Sequence, residues 1–375
     1  MINKCRYFND HQSAACLMVD DLVPALVSRD GKTSARDDWG YLRNSDESLY
    51  AYLSKWLFDK YPEIRGTVFL PLDSHNYIDQ NSGYCVKTRE MDQEFFSFLH
   101  NISDRFEFAF HGVKHAWFDN ISYMPVHEFA RPTEKIIEHA LERVHAFTDH
   151  SGIRFMGGKF PGYKYDSKAL EVIPKLGCKW WALDSSMIQR VGQNSVHYHE
   201  SSQFINIPTN LCGDIYNTNK SKDILRSIKS KLKNRFSGRP NDFLSYLYEQ
   251  SLPITIQEHY QNQRTDGIRQ RPNLFDDIAS LDILFGYLRS KDIWHANCTE
   301  IAHYFDSYQR VKIAEIGQNS FSISYSGLFE SPMISIVCDS PIIDSMDGSG
   351  SIKGLYKSGK WIFNINNCGE YRVRK

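Results

Sequence analysis

Apolar and polar residues alternate along this chain in two textures up to about residue 310, and in a third beyond it. The first continuous apolar run, Ala14–Val19 (AACLMV), stops at Asp20-Asp21 and reads as a buried strand with two acids at its C-terminal end. Leu49–Phe58 has helical periodicity, Gly66–Leu70 (GTVFL) predicts the next strand, and Met91–Ile102 a helix. Phe106–Phe110 (FEFAF) predicts a third strand that runs directly into His111. Pro132–His150 predicts a long amphipathic helix, with Ile136, Ile137, Ala140, Leu141, Val144 and Phe147 on one side. Strand-like segments recur at Arg154–Met156, Lys179–Leu183, Phe204–Ile207 and Ile254–Gln257, and Asp282–Leu288 and Thr299–Tyr308 predict closing helices. Strands alternating with helices imply an α/β domain with parallel strands.

Two stretches depart from this rhythm. Val23–Ser48 is rich in Asp, Arg, Ser and Gly, and is too long for a simple connection, which suggests a loop over a site. From Val311 to Lys375 the runs become short and alternating (FSISYSG, ISIVC, WIFNI, YRVR), separated by Gly, Ser and Asn turns. The expected organisation is a domain over residues 1–310 and a small all-β domain over 311–375.

Composition narrows the function classes. Hydrophobic residues at 41% and charged residues at 24% are ordinary for a soluble globular chain. A formal net charge of −1 offers no field to attract nucleic acid or an anionic membrane. The locally basic run Lys220–Arg239 has Ile224, Leu225, Ile228 and Leu232 at helical spacing, so its cations read as a solvated face. The 8 cysteines are scattered with no C-x-x-C pair, as in a reduced protein. No apolar stretch is long enough to span a membrane, and the polar N-terminus lacks a signal-like apolar core, so a cytoplasmic location is expected. Aromatics at 14% suit either stacking on sugars or a Tyr-rich core.

Three features carry candidate chemistry. Asp20-Asp21 ends a strand, where two acids ordinarily form a solvated turn. His111-Gly-Val-Lys-His115 places two imidazoles four residues apart, where both can reach one metal ion. Taken alone, that pair reads equally well as ordinary histidines. His259 ends the segment Pro253-Ile-Thr-Ile-Gln-Glu-His259 and so belongs on the same rim, although a lone His there is ordinarily structural. Together they fit one chemistry: a carboxylate and two imidazoles hold a metal, a second carboxylate takes a proton from water, and a His protonates a departing amine. Asp73 and His75 follow the second strand and could contact substrate, although a plain loop is the simpler reading; His197 and His199 alternate as a metal-holding pair would but lack an obvious third ligand; Asn210–Asp214 could line the pocket; and Trp180-Trp181 reads as packing.

In this combination the chain resembles the polysaccharide deacetylases, carbohydrate esterase family four. Met18-Val-Asp-Asp-Leu22 stands in place of the family's T-F-D-D-G, and HGVKH matches H-[ST]-x-x-H. Lys159-Phe-Pro161-Gly-Tyr163 matches the third motif loosely, Lys179-Trp-Trp-Ala-Leu-Asp184 the fourth, and Ile256-Gln-Glu-His259 the fifth in outline. The resemblance covers about Ala14 to Tyr304. It implies a distorted (β/α) barrel of the polysaccharide deacetylase type, with the small C-terminal all-β domain attached.

The resemblance also implies roles. Asp21, His111 and His115 would bind a divalent metal, most simply Zn, with Asp20 as general base and His259 as general acid. Lys159 would orient the base in place of the family's Arg, with Asp184 as its acidic partner. The turn Pro161-Gly162-Tyr163 would present a backbone N–H to the oxyanion at Gly162 or Tyr163. The expected activity is removal of an acetyl group, above all N-acetyl, from a sugar or glycan precursor. Hydrolysis of a non-sugar amide or ureide on the same fold, or a glycan-binding pseudoenzyme, are the alternatives. Leu22 for Gly and Lys159 for Arg are the departures from the family pattern.

Overall fold

A computed structural model describes residues 2–22, 26–28, 48–72, 84–86, 93–118, 125–185, 194–200, 203–217, 240–260 and 270–374. The central sheet is built from β1 (Ser13–Asp20), β2 (Gly66–Leu70), β3 (Phe106–Phe110), β4 (Gly157–Lys159), β5 (Trp180–Ala182), β6 (Ile205–Asn206), β7 (Leu211–Cys212), β8 (Ile254–His259) and β9 (Ile293–His295). Its order is β6-β5-β4-β3-β2-β1-β8-β7, with the short strand His197–Tyr198 beyond β6 and with β9 pairing β1. Every pairing is parallel except that of His197–Tyr198 with β6.

The α/β expectation therefore holds, whereas the expected barrel is not found as an unbroken ring of strands among the described residues. The two ends of the path instead fall on one stretch of chain. Ile205 and Asn206 pair with β5, and Leu211 and Cys212 pair with β8.

β1 is apolar from Ala14 to Val19 because it is buried on both faces. Ala15, Leu17 and Val19 enter one hydrophobic core and Ala14, Cys16 and Met18 the other. The first core is filled from the helices. Besides the one-turn helix Val172–Lys175, they are α1 (Leu49–Leu53, continued by a π-turn over Ser54–Phe58), α2 (Gln93–Asn101), α3 (Glu134–Ser151), α4 (Pro240–Glu249) and α5 (Ile278–Arg289). α3 starts at the side chain of Thr133, which accepts from the Ile136 N–H, and ends at Gly152 in the left-handed conformation. α6 (Cys298–Arg310) begins with a capping box between Asn297 and Glu300 and packs on the other face of the sheet. No helix among the described residues is long and apolar enough to cross a membrane.

Residues beyond 311 form two antiparallel sheets. One has the order Lys312–Gly317, Ser320–Ser324, Gly369–Val373, Ile342–Ser345, Ser351–Lys353. The other joins Ile334–Cys338, Lys360–Ile365 and Leu355–Lys357 to the N-terminal strand Asn3–Lys4. Their interior is continuous with the second core of the central sheet: Phe321, Ile336 and Phe363 belong to the same cluster as Met18, Phe69 and Trp180.

One strand lies three residues later than its pattern suggested, at Gly157–Lys159 instead of Arg154–Met156. Two successive glycines gave no hydrophobic signal there, and the neighbouring strand explains them. A β-carbon on Gly157 would come within 2.1 Å of the Trp180 indole, and one on Gly158 within 2.6 Å of the Trp181 indole. Trp180 and Trp181 are packing residues, both fully buried.

Candidate active site

The ends of β1, β3, β4 and β8 bring the candidate residues together. Asp20 closes β1 and lies in register with His259 at the end of β8. Asp21 follows with φ of 67°, and its N–H donates to Phe69 O. His111 follows β3, and His115 ends the next turn with φ of 63°. Positive φ is uncommon outside glycine, and Asp and His are among the residues that tolerate it best.

Asp21, His111 and His115 are all buried, and one ligand atom from each falls within 4.8 Å of the other two. The contacts divide the Asp21 carboxylate. Its Oδ1 stands 3.4 Å from His111 Nε2 and 3.4 Å from His115 Nε2, while its Oδ2 accepts from Gln270 Nε2 at 2.7 Å. The His111 Nδ1–H donates to Lys159 O at 3.0 Å, which fixes the tautomer and turns the Nε2 lone pair to Asp21. Ligands about 2.1 Å from a tetrahedral ion stand about 3.4 Å apart, so the donor set and its spacing fit a divalent ion of the zinc type.

A second buried network holds Asp20. Lys159 Nζ donates to Asp20 Oδ1 at 2.8 Å and to Gln257 Oε1 at 2.7 Å. Gln257 Nε2 donates to Asp20 Oδ2 at 2.8 Å, and the Tyr163 hydroxyl donates to Gln257 Oε1 at 2.8 Å. Both carboxylate oxygens of Asp20 are thus fixed by donors. Lys159 is fully buried, and its ammonium lies 4.2 Å from the Phe69 ring centroid. Burial alone would lower its pKa, but the Asp20 carboxylate and Tyr163 outweigh burial and hold it above its ordinary value.

Lys159 and Asp184 share no hydrogen bond among the described residues. Asp184 Oδ2 accepts from Asn206 Nδ2 at 2.7 Å, while Gln257 occupies the place beside the Lys159 ammonium. The physical reason lies in the strands: β8 faces Lys159 with Gln257, a neutral amide that accepts from the Lys159 cation and donates to the Asp20 carboxylate at once. The sequence signal for Gln257 was available, since strand alternation puts it on the same face as His259.

The His259 Nδ1–H donates to Pro272 O at 2.7 Å, so Nε2 is the atom that can carry a transferable proton. In the turn after β4, Pro161, Gly162 and Tyr163 form one 3-10 turn. The Tyr163 N–H donates to Phe160 O at 2.9 Å, so the turn itself uses that donor. His127 and Glu128, on the strand Pro125–His127 and just after it, were not singled out from the sequence. Glu128 Oε2 accepts from the N–H groups of Val113 and Lys114, and its own N–H donates to His115 O, which clamps the turn from His111 to His115.

Other candidates do not converge on this site. His197 Nδ1 bonds to Ser195 O, His199 stacks on Phe204, and Asn210 donates to Pro253 O. Asp73, His75 and Lys220–Arg239 lie outside the described residues, as does Val23–Ser48 apart from 26–28 and Ser48.

No protein-family model and no curated protein matches this chain. Solved structures similar to it include an allantoinase, with a TM-score of 0.43 and 16% identity over 80% of this chain and 92% of that one. A probable polysaccharide deacetylase from Pseudomonas aeruginosa PAO1 is similar with a TM-score of 0.42 and 16% identity, covering 78% and 90%. A CE4 family pseudoenzyme from Bacillus anthracis is similar with a TM-score of 0.35 and 10% identity, covering 77% and 65%. The family expected from the motifs is thus among the similar solved structures.

Proposed function

We propose that the chain is a metal-dependent hydrolase that removes an acetyl group from an amide nitrogen, on a sugar or glycan precursor. The observation that carries this reading is the buried convergence of Asp21, His111 and His115 beside a separately held carboxylate, Asp20. A divalent ion at the three ligands, with Zn the simplest choice, supplies Lewis acidity that lowers the pKa of water and polarises the acyl carbonyl.

The chain's own residues do the rest. Asp20, fixed by Lys159 and Gln257, accepts the proton of the attacking water. The Gly162 N–H donates to the oxygen that gains negative charge at the acyl carbon. His259 Nε2 then gives its proton to the nitrogen, so that the C–N bond breaks with a neutral amine as leaving group.

The test is acetate release across a panel of N-acetylated and O-acetylated sugars and nucleotide-sugars, with small amides and ureides alongside. Acetate from an N-acetyl sugar supports the reading. Turnover confined to small amides or ureides would assign another substrate class, and binding without turnover of any would oppose an enzyme.

A further inference from the structure

We propose that His127 is a specificity-determining residue, whose imidazole walls the acyl side of the site and admits an acyl group of about acetyl size. The proposal rests on the hydrolase reading above. With His259 giving its proton to the leaving nitrogen from the end of β8, the acyl substituent points away from β8. That direction leads to the ends of β3 and β4, where the ligand turn meets the turn at Gly162.

The His127 ring fills this angle. It lies against Gly162 so closely that a β-carbon there would stand 2.6 Å from Cε1, 2.9 Å from Nε2 and 3.1 Å from Nδ1. The same ring is 5.8 Å from the His115 ring, centroid to centroid, with the planes at 64°. It therefore occupies the wedge between a metal ligand and the peptide that faces the oxyanion. His127 is not itself one of the converging ligand residues.

The wall cannot retreat by shifting its backbone. His127 pairs with Ala116 in an antiparallel ladder, and the next residue, Glu128, is bonded to His115, Val113 and Lys114. A flat ring held against Gly162 leaves no room there for additional methylenes, whereas the size of the leaving sugar is not limited by it. One methylene in such a pocket changes selectivity by roughly 10–200-fold.

The test compares wild type, His127→Ala and His127→Phe on N-formyl, N-acetyl, N-propionyl and N-butyryl glucosamine, with bound metal per chain measured for each protein. The expected result is unchanged metal content in His127→Ala and a rise of about 10-fold or more in kcat/KM for propionyl relative to acetyl. His127→Phe, which restores a flat ring, should retain the wild-type preference. An unchanged selectivity ratio in His127→Ala would overturn the proposal, as would loss of metal, which would assign His127 to the ligand shell. If wild type turns over no member of the series, the sugar deacetylase reading fails separately. Calorimetric binding of the same sugars then decides on His127: a gain of His127→Ala for the longer acyl groups supports the wall, and equal relative affinities refute it.

Discussion

Asp21 and His115 both hold a left-handed backbone conformation, which costs about 1–3 kcal/mol at a non-glycine residue. At both positions the conformation aims a side chain at the same point, which is a physical sign of a site that no hydrophobic pattern could show. The residue types were legible, since Asp-Asp after a strand and HxxxH after another are short-range signals. Gln270 and His127 were not, because each acts on residues that only the fold brings near; for Gln257, alternation along its strand gave the face but not the partners. Asp20→Asn keeps the shape and the amide contact but loses the basic oxygen. It should retain metal and lose about 10²-fold or more in kcat; near-normal turnover by released acetate would place the base elsewhere. Lys159→Met leaves Asp20 buried without its cation, so it should lower stability by about 3–5 kcal/mol in denaturant unfolding. An unfolding midpoint equal to wild type would show that the pair contributes nothing.

At the level of elements, β3 illustrates what a strand pattern does and does not reveal. Phe106, Phe108 and Phe110 face the helical core, as alternation predicts, but Glu107 faces the other way and was silent in the sequence. Its Oε1 accepts from the Thr67 hydroxyl at 2.7 Å and from the Thr299 N–H at 2.8 Å, linking β2 to the first turn of α6. Burial pushes this carboxyl up to about 7, against the lowering effect of the Thr299 and Thr67 bonds. A folded value raised above the ordinary 4.5 means that the folded state holds the proton more tightly. The corresponding stability is fully present below about pH 4.5 and is lost as pH rises through about 7. Glu107→Gln keeps the acceptor and cannot ionise. The gap in melting temperature between variant and wild type should therefore widen in favour of the variant from pH 5 to pH 8. A gap that stays constant over that range would contradict the assignment.

In the whole molecule, the change in texture near residue 311 correctly signalled an all-β region, yet the region's relation to the rest was not legible. Short alternating strands announce a sheet but not what its inner face packs against. Here that face joins the core behind the central sheet, with Phe321, Ile336 and Phe363 in one cluster with Met18 and Trp180, and Asn3–Lys4 extends one of its sheets. We propose the boundary at 310–311 as a boundary of architecture and not of folding. A chain ending at Arg310 should be insoluble or should melt well below the full chain, whereas an unchanged melting temperature would establish an independent module. Whether Asp21, His111 and His115 hold one catalytic ion is decided by metal content, measured by mass spectrometry on wild type, His111→Ala and His115→Ala, with acetate release followed on the same samples. The expected result is one divalent ion per chain in wild type, loss of that ion together with activity in both variants, and loss of activity in chelated wild type that returns when Zn²⁺ is added. Activity that survives complete removal of the ion, or an ion that stays bound in both variants, would contradict it.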